Sequence, residues 1–503
     1  MKRDGANKSL WQEVEAPALP AHSAAMECDV LIVGGGITGL TTALLLQEAG
    51  KRCIVAEAHT IGFGTTGGTT AHLNTLLESP YYMVKKDFGA DNARLFAQSA
   101  EDAIRLVERL CGKYNINAGF GRKTAFLWAT DDKQAGELDR VVESTKEVGL
   151  PMDHINDSPF PVPYVKIAAI ENQAQIHPTE YIKGLAEAFR GLGGTILEHC
   201  RVNGIEEKDN VEAQTGMGMI KAQSAVYATH IPPGVNILHF RCAPYRSYAM
   251  AFTLKDGRYP DALGYDMEDP YHYIRTQEWN GQKYVVAGGE DHKTGHEENT
   301  DACFRRLEAY IRKYFEVDEI THRWSSQFFE STDGLPYIGK LPGASGKVYV
   351  ATGFMGNGIT LGSKAGEVLS ELILTGESRY KELFRPGRVS PVAGFQDFVK
   401  EAADVVQRFI ADKVSPEKLK EVADLAPGEA RVVRAEGQLL ALYKDEDHVL
   451  HAVNSACTHV KCTIGWNSTE KSWDCPCHGS RFSIHGEVLT APARKNLERI
   501  TLK

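Results

Sequence analysis

The densest chemistry in the sequence lies near its C-terminal end. Cys457-Thr458-His459 and Cys475-Pro476-Cys477-His478 bring two thiols and two imidazoles onto two short segments. Two metal centres accept such a set. A structural zinc ion takes two Cys and two His. A [2Fe–2S] cluster takes them asymmetrically, with Cys457 and Cys475 on one iron and His459 and His478 on the other. The first pair is C-x-H, tighter than the usual finger spacing, which favours the cluster. Neutral imidazoles in place of thiolates remove negative charge and raise the potential, to about −150 to +300 mV for such centres.

A second constellation stands near the start. Gly34, Gly36 and Gly39 form G-x-G-x-x-G. The apolar run Asp29-Val30-Leu31-Ile32-Val33 precedes them and reads as a buried parallel strand. An apolar helix from Leu40 to Glu48 follows, and a further strand from Arg52 to Ala56 ends at Glu57. The glycines let backbone approach a pyrophosphate, Ile37 and Thr38 open the helix whose N-terminus faces that anion, and Glu57 accepts from a ribose 2′-OH. The alternative is a glycine-rich turn without a ligand. A second loop, Ile61 to Thr70, carries Gly64, Thr65, Thr66 and Thr70. It suits a longer cofactor's diphosphate and ribityl chain, or else is a flexible loop.

The elements that must position these residues are coarser in the sequence. Residues 85–110 read as one amphipathic helix, 178–190 as another after Pro178, and 360–374 as a third. Residues 241–290 alternate apolar and polar side chains and are rich in tyrosine, which predicts antiparallel sheet. Val348 to Thr352 is a further buried strand. From 377 to 426 prolines surround one expected helix, Gly394 to Ile410, which reads as a connector. Residues 427–503 hold 10 Lys+Arg and 9 Asp+Glu, a net +1 that leaves −11 for the remainder. That shift supports a boundary near 427.

Composition sets the outer limits. The chain has 503 residues, 43% apolar and 24% charged, with a net charge of −10. This is ordinary for a globular protein and long enough for about three folding units. The acidic balance argues against nucleic acid as a partner. No apolar run reaches the ~18 residues of a membrane span, and residues 1–26 lack a signal-like apolar stretch. The expectation is a soluble cytoplasmic protein. Ten cysteines are too few for a disulfide-stapled secreted domain.

The order of motifs resembles the FAD-dependent amine and amino-acid oxidoreductases that include D-amino acid oxidase, glycine oxidase and sarcosine oxidase. The matching pieces are Asp29 to Gly39 with Glu57, the Gly62–Thr70 loop, Pro178-x-x-Tyr181, Arg201-Val202, Ala228-Thr229-His230, Asp333 to Gly339, and Gly353 to Thr360. The resemblance covers about residues 28 to 376. It implies that Val202 meets the adenine end and that Thr229 lies on the cofactor. It also implies that Gly353, Gly356, Asn357, Gly358, Ile359 and Thr360 bring a helix N-terminus to the flavin ring, where reduced flavin gains negative charge. Only one G-x-G-x-x-G, that of Gly34, Gly36 and Gly39, stands between a strand and a helix, so no separate nicotinamide site is expected. The implied fold is α/β: a discontinuous Rossmann-like FAD domain (26–78, 165–238 and 322–376) interleaved with an α+β substrate domain (79–164 and 239–321).

Tyr245, Tyr271 and Tyr273 are candidate pocket residues, or plain sheet aromatics. Amino-acid-oxidising members carry an arginine shortly before the Asp-Gly-Leu-Pro motif, to clamp a carboxylate. Phe328 stands there and argues for an amine. Oxygen-using members often carry a lysine near the flavin, where this sequence has Val286, so oxygen is not the obvious acceptor.

Residues 425–503 resemble a Rieske [2Fe–2S] domain, an all-β unit assigned here to 427–503. The resemblance implies that Cys462 and Cys477 form a disulfide between the cluster loops and that Ser480 hydrogen-bonds a cluster sulfur. It also identifies Ala491-Pro492-Ala493 as a proline loop. Phe482 stands where high-potential members have a tyrosine, implying a potential below the top of the class. Together the two resemblances imply a dehydrogenase that oxidises the C–N bond of an amine or amino-acid-like substrate. FAD would pass electrons through the Rieske cluster to an unknown acceptor. The alternatives are an oxygen-using oxidase with a structural or regulatory cluster, and an electron-transfer module without a metabolite substrate. A Rieske oxygenase is disfavoured by the lack of a 2-His-1-carboxylate motif.

Overall fold

The computed structural model describes residues 3–14, 26–388, 417–418, 425–435 and 438–501. The expected helix Gly394 to Ile410 lies outside them. The apolar run at the start forms strand Met26–Val33 at the centre of an eight-stranded sheet. Cys53–Ala56 and then Thr195–Leu197 lie on one side, with Gly218–Tyr227, Val348–Thr352 and Tyr337–Lys340 on the other. Met26–Val33 is parallel to both its neighbours. Val30, Leu31 and Ile32 are at most 1% exposed, because helices pack on the face of Val30 and Ile32 and strands Val202–Glu207 and Val211–Thr215 pack on the face of Leu31. Ile37–Glu48 and Gly358–Thr375 pack on one another through small residues. A Cβ at Gly366 would come 2.7 Å from the Thr41 side chain, so the helix axes come close only because that position is glycine.

A nine-stranded, mostly antiparallel sheet makes the second layer. Its order is Val317–Ser331, Cys242–Leu254, Gln282–Lys293, Tyr273–Trp279, Leu263–Asp266, Gly121–Ala129, Lys166–Gln175 and His72–Leu73, with Met152–Ile155 on Lys166–Gln175. The alternation predicted over 241–290 thus becomes sheet. Strand pairing differs from the expected segment limits in three places. His72–Leu73 pairs with Lys166–Gln175, which pairs with Gly121–Ala129, and Val317–Ser331 pairs with Cys242–Leu254, so all three strands lie in this second sheet. An apolar strand has no local signal for which sheet will accept its N–H and C=O groups. The expected helix over 85–110 is two helices, Tyr81–Phe88 and Ala90–Lys113. Gly89 between them sits at φ +89, which breaks the helical backbone.

The C-terminal region is all β among the described residues, in two four-stranded sheets. One holds Glu417–Lys418, Ala430–Ala435, Gln438–Lys444 and Leu450–Asn454. The other holds Gly465–Asn467, Ser472–Asp474, Arg481–Ser483 and Val488–Thr490. Glu417–Lys418 pairs with Ala430–Ala435, so this sheet begins ahead of the expected boundary at 427. Among the described residues no helix is long and apolar enough to cross a membrane.

Buried charge joins the two halves. Asp474 Oδ2 accepts from Arg246 at 3.1 Å, and its Oδ1 accepts from Arg481 at 3.1 Å. The N-terminal segment adds Asp4 to Arg481 at 2.5 Å and Arg3 to Glu470 at 3.2 Å. Burial opposes ionisation of Asp474, but Arg481 and Arg246 hold its carboxyl below the usual range. Removing one partner of such a pair leaves an uncompensated buried charge. Arg246→Ala should therefore lower the unfolding free energy by about 3–5 kcal/mol, read as a shift in the urea midpoint of the visible circular dichroism of the cluster. An unchanged midpoint would show that the pair contributes nothing to the joint.

Candidate functional site

A cavity of about 540 Å³ lies between the two sheets and reaches the C-terminal region. At one end it is walled by Gly34, Gly36, Ile37 and Thr38 and by the carboxylate of Glu57. Glu57 is held in place by the N–H groups of Gly35 and His59, each at 2.8 Å, while burial pushes its carboxyl up. Gly39 does not line the cavity. A Cβ there would collide with the Gly34 carbonyl, so its role is to let the turn close on itself. Gly64, Thr65, Thr66 and Thr70 all line the cavity, and Thr66 Oγ1 accepts from the Ile37 N–H at 3.2 Å. The two loops singled out in the sequence therefore meet. Val202 and Thr229 line the same end.

The turn before Gly358–Thr375 forms the middle of the cavity through Gly356, Asn357, Gly358 and Ile359. Gly353 and Thr360 stand behind this wall. Thr360 Oγ1 accepts from the Asn74 N–H at 3.2 Å, and Asn357 Oδ1 accepts from the Glu78 N–H at 2.8 Å. The Gly356 N–H donates to the Glu78 carboxylate. These bonds lock the turn to residues 74–78.

The far end is polar and aromatic. Tyr271, Tyr273 and Phe328 line it, as expected from the sequence; Tyr245 does not, and sits beside Phe328 with ring centroids 5.9 Å apart. Val286 is buried in a small apolar cluster with Leu10, Trp11 and Trp324, away from the cavity. The sequence reading missed His72, Asn74, Glu78, Ser247, Tyr265 and Asp291, which also line this end. The Tyr265 hydroxyl meets His72 Nδ1 at 2.7 Å and takes the Asn74 amide at 2.6 Å; Ser247 Oγ meets the Tyr273 hydroxyl at 2.7 Å. No motif marks these residues, since they come from separate strands and loops. The alternation of Cys242–Leu254 explains one side of the pocket: Ser247 and Ala249 face the cavity while Arg246 reaches Asp474.

At the C-terminal module, Cys457 and Cys475 are fully buried and free of disulfide bonds. Cys462 and Cys477 form the disulfide that the resemblance implied. At 2% and 4% exposure it is shielded from thiol reductants. The His459 and His478 rings lie beside each other, with centroids 5.0 Å apart. His459 Nε2 donates to the Gly234 carbonyl at 3.1 Å, leaving its Nδ1 buried and unpaired; both His478 nitrogens are buried and unpaired. Burial pushes both rings down, so both are neutral near pH 7. Two buried thiols and two neutral imidazoles with free nitrogens fit the donor set of a [2Fe–2S] centre. Ser480 Oγ accepts from the Ala493 N–H at 3.1 Å, which ties the Ala491-Pro492-Ala493 loop to the cluster loop.

The module is seated on the cofactor domain of its own chain. His239 stands 4.7 Å from the His459 ring, and Phe240 stands 5.4 Å from that of His478. Val488 to Ala491, Ala493 and Arg494 line the same cavity as Gly34 and Glu57.

A Rossmann-like nucleotide-binding sheet, a second sheet over its cavity and a Cys/His cluster module define a flavoprotein oxidoreductase with an iron–sulfur centre. Residues 29–372 match the FAD dependent oxidoreductase family and residues 415–501 match the Rieske [2Fe-2S] domain. The chain belongs to the FAD dependent oxidoreductase family, and it uses FAD and a Rieske-type [2Fe–2S] cluster. It is 31% identical over 501 residues to a putative Rieske 2Fe-2S iron-sulfur protein, YhfW, of Bacillus subtilis, covering 99% of this chain and 98% of that one. It is 26% identical over 374 residues to gamma-glutamylputrescine oxidoreductase of Escherichia coli, covering 70% and 85% of the two chains. Glycine oxidase from Geobacillus kaustophilus shares the fold at a TM-score of 0.61 and 18% identity, over 73% of this chain and all of that one. L-proline dehydrogenase from P. horikoshii does so at 0.58 and 18%, over 72% and 98%.

Behind the aromatic wall, His272 is gripped by Asp266 at 2.9 Å and Glu290 at 3.6 Å. Burial works against its charge, but the hydrogen bond to Asp266 and the charge of both carboxylates carry the ring up to about 9. A raised pKa means the folded state holds the proton more tightly. Its stabilisation is complete below pH 6.5 and lost as pH rises to about 9. The melting temperature should fall across that window, and the fall should shrink in His272→Gln. An equal fall in both proteins would exclude this triad as its source.

Proposed function

We propose that the protein is a dehydrogenase that oxidises the C–N bond of an amine or amino-acid-like substrate, acts in the cytoplasm, and delivers the electrons through its Rieske cluster to an acceptor other than oxygen. When bound, FAD supplies hydride acceptance and the cluster supplies one-electron carriage. In this reading Gly34, Gly36, Ile37, Thr38 and Gly39 form the pyrophosphate turn, with Glu57 on the adenosine ribose. Gly64, Thr65, Thr66 and Thr70 hold the diphosphate and ribityl chain. Val202 and Thr229 lie on the adenine side. The 353–360 turn brings the N-terminus of its helix to the ring. Cys457 and Cys475 hold one iron, and His459 and His478 the other.

The observation that carries the reading is the shared wall. Loop 488–494 of the cluster module lines the cofactor cavity, and His459 hydrogen-bonds the Gly234 carbonyl beside it. A cluster with no part in the redox reaction has no need of that seat. The relatives add support: one is named a gamma-glutamylputrescine oxidoreductase, and glycine oxidase and L-proline dehydrogenase share the fold.

Anaerobic titration with a panel of amines and amino acids tests the relay. A true substrate should bleach the flavin band and bring up the reduced-cluster EPR signal together. Bleaching without that signal would overturn it, and stoichiometric hydrogen peroxide in air would favour an oxidase. In Cys475→Ser the iron content and EPR signal should fall by about tenfold or more while the flavin spectrum persists. Retained cluster would remove Cys475 from the ligand set.

A further inference from the structure

Two carboxylates stand at the aromatic end of the cavity, one of which, Glu78, already takes the Gly356 N–H. Glu78 and Asp291 both line it, on different elements, with Ser247, Tyr271 and Tyr273 around them. Glu78 and the Tyr271 hydroxyl converge on one point. A Cβ placed on Gly356 would lie 2.9 Å from Glu78 Oε2 and 3.0 Å from that hydroxyl. Asp291 Oδ1 is buried and has no hydrogen-bond partner. Burial pushes both carboxyls up, and the charge of Glu78 helps raise that of Asp291, to about 8.

No cation on the cavity wall answers them, and the charged His272 ring behind the wall offsets only part of the burial cost of Asp291. Among the described residues, the lining has no lysine and only two arginines, Arg201 and Arg494. These lie at the opposite end, donating to the Val488 and Pro233 carbonyls. Arg275, behind His72, gives its N–H groups to the Ala71 and Ile176 carbonyls and to Gln277. Glu290, next to Asp291, is already paired with Arg306 and His272. Two acidic groups facing one apolar-walled space are costly unless a cation arrives with the ligand.

We propose that Glu78 and Asp291 bind the ammonium group of the substrate, and that the substrate is an alkyl or arylalkyl amine without an α-carboxylate. The inference rests on the amine-oxidising reading and narrows it. A carboxylate would be repelled here, where Phe328 offers no donor to it. The faces of Tyr271 and Tyr273 suit both a cation and the carbon chain that bears it. Asp291 takes the proton: one N–H bond of the ammonium breaks, an O–H bond forms on Asp291, and the amine nitrogen keeps the lone pair that must enter the new C=N bond.

The test uses the holoenzyme and two unreactive probes of similar size, benzyltrimethylammonium and benzoate, with binding read from perturbation of the visible flavin band. The ammonium probe should bind and benzoate should not. Asp291→Asn and Glu78→Gln should each weaken the ammonium probe by about tenfold or more, while Asp291→Glu keeps most of the affinity. Tighter binding of benzoate, or an Asp291→Asn affinity within about twofold of the parent, would overturn the proposal. Should one variant lose its flavin, the other and Asp291→Glu still decide. If the ammonium probe behaves as expected but no amine bleaches the flavin, the site stands and the oxidation reading fails. If amines bleach it while both variants bind the probe normally, the assignment of these residues fails alone.

Discussion

Asp474 is the point at which the two halves of the chain are held. Its carboxylate takes Arg481 from its own module and Arg246 from the large second sheet, and the Asn467 amide and Ser472 hydroxyl fill its remaining positions. None of the three ionic side chains is more than 4% exposed. Such a group has lost its water, so the arrangement is favourable only when every partner is in place. That requirement makes the docking specific in a way that an apolar contact would not. It fixes how His459 and His478 meet residues 234–240, and it brings loop 488–494 onto the cavity.

The N-terminal segment belongs to the same joint. Arg3 and Asp4 reach Glu470 and Arg481, while Leu10 and Trp11 are fully buried against the second sheet. Ser325 and Gln327 complete the contact, donating to Glu470 and to the Gly479 carbonyl beside His478. One strand, Val317–Ser331, therefore supports the joint through these two side chains and the pocket through Phe328. Phe328 on the cavity wall and Gln327 on the Gly479 carbonyl are thus neighbours on one rigid element.

The motifs that were legible in the sequence share one property: each is local. G-x-G-x-x-G works because a strand, a turn and a helix N-terminus follow one another, and the cavity is lined where that order implies. Cys457, His459, Cys475 and His478 sit on two short loops clamped by the disulfide, so their residue types announce their chemistry. Phe328 was legible only because a motif stands just after it. Tyr245 was misplaced because an alternating strand shows which residues share a face, but not how far along that face the cavity extends. The helix over 85–110 was read as continuous because Gly89 at +89 interrupts the backbone without interrupting the apolar spacing.

The sequence by itself determined the two cofactors and the class of each domain, since both depend on contacts between residues close in the chain. Tertiary structure alone decided which sheet receives strands Lys166–Gln175 and Val317–Ser331, because a strand's hydrogen bonds have no preferred partner in its own residues. It alone brought Glu78 and Asp291 into one cavity, and Arg246 to Asp474. Those meetings join segments hundreds of residues apart or on unrelated elements, and charge acquires its full cost and its full effect only where burial has removed the solvent.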